Sequence, residues 1–270
     1  SSLVTGNTIL PSSITIQAGA DNLHLEGLQI LGSVTFMANT KIDSVQLQRC
    51  FIQGNVSISG TSGNLCNGLV WRENIMAGTV NMQNTSNLVF HNNIVKAYSA
   101  SVLQNFSNNA WLANNIIVGR GFHNPNNWSY HYQLVNITDC LFENNIIHTI
   151  GSSYTMNNVS NNTFLNNVFT HNHSANHANV WSGNFFNIDI PTIFHDFGGN
   201  SFDYAQNYAL LDPTAFIGTS GNEVGIYGGL QPGKTSKASQ NPRFLFKQIA
   251  PQTNSSGELS IEISVEAQNE

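Results

Sequence analysis

Short runs of alternating apolar and polar residues recur along the chain, each followed by the same punctuation. Leu88-Val89-Phe90 leads into Asn92-Asn93-Ile94-Val95, and Leu141-Phe142-Glu143 leads into Asn144-Asn145-Ile146-Ile147. Close copies stand at Glu73-Asn74-Ile75-Met76, Asn114-Asn115-Ile116-Ile117, Asn166-Asn167-Val168-Phe169 and Gly183-Asn184-Phe185-Phe186. The second position is Asn at 74, 93, 115, 145, 167 and 184, in steps of 19, 22, 30, 22 and 17 residues. Weaker copies carry Cys50 and Leu28 there. A repeat of this length is the signature of a solenoid. Each period holds three short strand-like pieces, such as Val102-Leu103-Gln104, and no long amphipathic pattern, which excludes helical repeats. The Leu spacing of a leucine-rich repeat is also missing. The pattern predicts an all-β chain: a parallel β-helix with three strands per coil, about eight to ten coils stacked at roughly 4.8 Å.

The Asn column has a mechanical reason. At a sharp bend between strands one residue adopts a left-handed backbone, which Asn tolerates better than other non-glycine residues. Asn74, Asn93, Asn115, Asn145, Asn167 and Asn184 are assigned to that bend, their amides donating to one neighbouring coil and accepting from the other as a ladder. Coils are expected over residues 1–188. The long step between Asn115 and Asn145 exceeds the period by about eight residues, an insert placed at 119–132. After Asn187 the repeat fades. Pro191, Pro213, Pro232, Gly198-Gly199 and Gly228-Gly229 mark 189–240 as loops with a final irregular coil. The tail 259–265 alternates perfectly and is expected to be a strand capping the open end of the same domain, which spans 189–270 in its last part.

Composition narrows the class. With 270 residues and 40% apolar content, the chain can bury a substantial core as one elongated domain. Charged residues are 9% of the chain and its net charge of −6 is scattered. That argues against nucleic acid, which needs a basic stripe, and against an anionic membrane surface. No apolar stretch is long enough to span a bilayer, so membrane insertion is not expected. Ser1-Ser2-Leu3-Val4-Thr5-Gly6 shows no signal peptide and reads as the inside of a coil, so an upstream cap or signal is expected to have been removed or left out. Cys50, Cys66 and Cys140 form neither a disulfide framework nor a zinc motif.

The Asn-bearing coils resemble the right-handed parallel β-helix superfamily that includes the pectate lyases. The segment Val224-Gly225-Ile226-Tyr227-Gly228-Gly229, with Asn241-Pro242-Arg243 and the tail strand, looks like the ending of secreted β-helix proteins of Bacteroidota. Together these cover nearly the whole chain. The resemblance implies a right-handed, single-stranded β-helix, secreted or held at the outer cell surface. It also implies a cleft beside the long loop after the strand that follows the Asn turn.

Those loops carry the candidate chemistry, since solenoid strands are committed to stacking. They hold Lys96 and Tyr98, then Arg120, His123, Trp128, Tyr130, His131 and Tyr132 in the insert, then His148, and then His171, His173 and His177. Stacked coils would make them neighbours. Sugar rings pack on Trp and Tyr faces, with His and Arg supplying hydrogen bonds. The candidate binding residues are therefore Tyr98, Arg120, His123, Trp128, Tyr130, His131, His148, His171 and His173. These loops contain no Asp or Glu, whereas glycoside hydrolysis uses two carboxylates and a calcium-dependent lyase an acidic cluster. Glu73, Asp139 and Glu143 fall on the other side of the Asn turn. No catalytic residue, cofactor or metal is assigned. His171 and His173 have zinc-ligand spacing, but their Asn/Ser-rich segment reads as a solvated loop. The expected function is a non-catalytic extracellular module of a bacterial protein, binding glycan or a cell-surface protein partner through these loops. The alternative is a metal-free polysaccharide lyase-like enzyme with His123, His131 or Tyr130 as base or acid. Oligomeric state is left open.

Overall fold

The structure is a computed structural model that describes residues 8–59, 63–97, 101–124, 129–151, 156–172, 178–197, 206–229, 243–249 and 261–266. Its contacts divide the chain into two units, Thr8–Lys234 and, separately, Ser1–Asn7 with Thr235–Glu270. The larger unit is a parallel β-solenoid of three sheets. Sheet 1 takes the strand after the Asn pair of each coil, from Thr8–Leu10 to Val168–Phe169. Sheet 2 runs from Ile14–Ile16 to Met156–Ser160, and sheet 3 from His24–Glu26 to Val180–Ser182. No helix among the described residues is long and apolar enough to cross a membrane.

The solenoid makes about six turns, the number of steps between the first and last of the seven strands in sheet 2. Eight to ten coils is therefore too many. The described residues of 189–229, within the stretch expected to form a final irregular coil, instead pack over the outer face of sheet 1. Here the recurring Ile-Ile pair finds its explanation. Val95, Ile117, Ile147 and Phe169 face the solenoid core, whereas Ile94, Ile116, Ile146 and Val168 belong to a second core outside it. Ile193, Phe194, Tyr208, Leu210, Phe216, Val224 and Ile226 complete that second core. A strand buried on both faces reads as a continuous apolar run. Sheet 3 has one buried face and alternates. Its middle residues Leu47, Trp71, Phe90, Leu112, Phe142 and Phe164 all point inward and are buried. Phe142 stacks on Phe164 at 4.7 Å, and Phe164 on Trp181 at 4.3 Å.

The Asn pair divides two tasks expected of one residue. The left-handed backbone belongs to the first member: Asn92, Asn114, Asn144 and Asn166 have φ of 54, 56, 56 and 50°, and Glu73 and Gly183 hold the same corner. This corrects the assignment of that conformation to the second Asn. The first Asn sends its amide outward; Asn92 Nδ2 donates to Ile226 O at 3.2 Å and Asn144 Nδ2 to Thr219 Oγ1 at 3.2 Å. The second sends its amide inward and along the axis. Nδ2 of Asn74, Asn93, Asn115, Asn145 and Asn167 donates to Oδ1 of the next at 3.0, 3.1, 2.8, 2.9 and 3.0 Å, ending on Asn184.

The insert is a hairpin rather than a loop. Strand Ile116–Asn124 runs on beyond its coil and pairs antiparallel with Ser129–His131, setting His123 opposite Tyr130. In the smaller unit the tail strand, Ile261–Glu266, pairs antiparallel with Arg243–Ile249.

Candidate functional site

Outward-facing residues of sheet 3 form the floor of a cleft of about 550 Å³. The parallel register lines up Arg72, His91, Ala113 and Glu143 on successive coils, with Val89 beside Trp111 one row away. Corner residues Asn92, Asn114 and Asn144 make one flank, and Thr219, Ser220 and Gly229 of the covering segment make the wall. A Cβ on Gly229 would lie 2.4 Å from Asn114 Nδ2, and the glycine has φ of +78°, so any other residue there would be strained and would have to displace the Asn114 amide.

Trp111 is 41% exposed, yet its ring is fixed. Its Nε1–H donates to Glu143 Oε2 at 2.9 Å, and the His91 ring meets it perpendicularly with centroids 4.2 Å apart. The other oxygen of Glu143 accepts the Thr219 hydroxyl, and the Thr219 N–H donates to Asn144 Oδ1 at 2.9 Å. Floor and wall are thus one hydrogen-bonded unit. Burial, helped by the Arg72 guanidinium, pushes His91 down to about 4, so its imidazole is neutral at pH 7. His91 Nε2 and Asn114 Oδ1 are buried without a hydrogen-bond partner among the described residues. Ring face, amides, hydroxyls, carboxylate and neutral imidazole together suit a hydroxyl-rich ring ligand. Among the described residues, Glu143 is the one carboxylate lining the cleft. Among those residues no cluster of three His, Cys, Asp or Glu is arranged to hold a metal ion.

The described residues singled out from sequence are not among those lining this cleft. Lys96 is in strand Ile94–Ala97 rather than a loop and is 1% exposed. Its Nζ donates to Tyr208 OH at 3.0 Å and Gln206 Oε1 at 3.1 Å, and sits 4.4 Å from the Phe197 ring centre. The register aligns Lys96, Val118 and His148, so these positions do stack as neighbours. His148 lies within strand Ile146–Gly151, under the cover, with Phe197 edge-on at 5.2 Å. His148 and His171 meet at Thr170, whose Oγ1 is 3.0 Å from one Nδ1 and 3.2 Å from the other. Burial first, then His171 and Lys96, push His148 down to about 4; burial also lowers His171. Arg120 is exposed and paired in register with Ile150. His123 and Tyr130 pair in register on the hairpin strands, and His131 pairs with Phe122. Tyr98, Trp128 and His173 lie outside the described residues.

Sequence reasoning passes over Arg72, His91, Trp111 and Thr219 and sets Glu143 aside. A signal for the floor exists: the position two before each bridging Asn is outward-facing and carries Arg72, His91 and Glu143 in a chain with few ionisable residues. Nothing in the repeat announces the wall. Against protein-family models, curated proteins and solved structures the chain matches none, so its function is argued from the parallel β-solenoid and this cleft.

Proposed function

We propose that this chain is a non-catalytic extracellular module of a secreted or cell-surface bacterial protein, of the right-handed β-helix kind that includes the pectate lyases, and that it holds glycan in the sheet 3 cleft. One observation carries the reading. Trp111 is exposed at the cleft yet held by Glu143 and His91, with Asn114, Asn144 and Thr219 lining the same cleft. An aromatic ring already fixed in place loses little freedom when a sugar stacks on it. This moves the binding face from the loops after sheet 1 to the opposite side of the Asn corner. The kinship with β-helix proteins of Bacteroidota rests on the Asn-bearing coils and the Val224–Gly229 motif, and export on that kinship and the charge-poor surface.

The lyase-like reading has one support, a neutral His91 beside Arg72, the base-and-cation pair that removal of a proton next to a uronate carboxylate would use. A single experiment separates the two. The purified chain is titrated with a polysaccharide panel while the absorbance of unsaturated product is followed. Binding without product, weakened about tenfold or more by Trp111→Ala, is expected. Unaltered binding by that variant refutes the cleft, and product lost in His91→Ala establishes the lyase.

A further inference from the structure

Trp111 borders a second depression, of about 630 Å³, on the same outer face of the solenoid. Its floor continues the Trp111 row through Leu141 and Thr163, which the parallel register places on the next two coils. Its rim is a row of corner residues, Asn109, Asp139 and Asn161, all exposed and all at positive φ of 66, 56 and 57°. They sit one per coil, and the Asn109 N–H donates to Asp139 O across the step at 3.0 Å. An apolar strip is therefore flanked by a hydrogen-bonding group every coil, about 4.8 Å apart, close to the length of one ring of an extended glycan.

We infer that the glycan ligand is a neutral chain of several rings lying along the solenoid axis, which stacks on Trp111 and continues over Leu141 and Thr163 beside Asn109, Asp139 and Asn161. This rests on the reading of the cleft as a glycan site. The charge pattern sets the sugar class. Carboxylates stand on both sides of Trp111, Asp139 in the second depression and Glu143 in the first, while Arg72 lies at the far end of the first. A polyuronate would set its own carboxylates against these, and like charges brought together repel. Hydroxyl groups of a neutral sugar instead donate to the carboxylates and exchange hydrogen bonds with the Asn amides.

The test is calorimetric titration with neutral oligosaccharides of two to six rings, from β-linked glucan, mannan and xylan, and with oligogalacturonates of matched length. Affinity for one neutral series is expected to rise about tenfold or more between two rings and four or five, then level off. The double variant Asp139→Gly/Asn161→Gly, in which glycine takes over the left-handed corners without strain, is expected to lose about tenfold for five rings and nothing for two. Its circular dichroism and melting curve should match the parent. Short neutral ligands binding as tightly as long ones would overturn the extended site and leave the cleft standing. Oligogalacturonates binding more tightly than neutral chains would overturn the charge argument. Absence of binding by every glycan would overturn both the inference and the cleft reading beneath it.

Discussion

Replacing Asn115 by Ala removes an amide from the middle of the inward column, and the structure sets the cost. Asn115 Oδ1 accepts the Asn93 N–H at 2.8 Å and Asn93 Nδ2 at 3.1 Å; its Nδ2 donates to Phe90 O and Asn145 Oδ1, each at 2.8 Å. Every hydrogen-bonding position of the amide is used. The residue is 0% exposed, so water cannot take its place. In the variant, Asn145 Oδ1 keeps the Asn115 backbone N–H, but the Asn93 N–H and one Asn93 amide hydrogen lose their acceptor. Two buried orphaned donors at ~1–3 kcal/mol each cost about 2–6 kcal/mol. Taking ~4 kcal/mol, at about 2–4 °C per kcal/mol for a chain of this size, the melting temperature falls by about 8–16 °C. The neighbouring change Asn114→Gly is the control. It removes a side chain whose Oδ1 has no partner and keeps the left-handed corner, so it should cost about 1 kcal/mol or less. Thermal melts followed by circular dichroism decide the matter. If Asn115→Ala melts within about 2 °C of the parent, or no lower than Asn114→Gly, the column does not hold the coils together as argued.

Two further outcomes follow from buried groups on sheets 1 and 3. His91 and His148 are both pushed to about 4, while each titrates near 6.5 in the unfolded chain. Between those values the unfolded state binds protons that the folded state does not, so stability is full above pH 6.5 or so and is lost as pH falls towards about 4. Urea midpoints measured across that range should drop steeply, and the double variant His91→Gln/His148→Gln should flatten the slope; equal slopes would refute the assignment. Lys96→Ala deletes the contacts with Tyr208, Gln206 and Phe197 that pin the covering segment. Exchange of the Leu211 amide, bonded to Ile193 O, should then quicken about tenfold or more while that of the Asn115 amide is unchanged. Equal protection in variant and parent would show that Lys96 does not hold the cover.

The site was only half legible in the sequence. Position two before each bridging Asn points outward on sheet 3, so the spacing that identifies the coils also puts Arg72, His91 and Glu143 in one row, a signal the sequence reading leaves unused. What that spacing left open is which outward face is used. The segments expected to be loops after sheet 1 carry more aromatic and His residues, yet His148 and Lys96 lie in sheet 1 strands and are roofed by Phe197, Tyr208 and Gln206. Trp111 is not distinguishable in the sequence, because a lone Trp in an alternating strand reads as an ordinary sheet residue. Its meaning comes from Glu143, 32 residues away, and from Thr219, 76 residues beyond Glu143.

The sequence by itself determined the coil. Alternation with period two sets in from out in sheets 2 and 3, the Asn pair marks each corner, and the spacing of pairs sets the stacking. These are local properties, repeated until they become unmistakable. Tertiary structure alone decided which faces are covered and where a cleft remains. Described residues of 189–229 bury the outer side of sheet 1 through single contacts such as Asn92 to Ile226, 134 residues apart, and Thr219, Ser220 and Gly229 build the cleft wall. Such a contact occurs once, so it leaves no period to read, and the surface it covers exists only where several coils stack side by side.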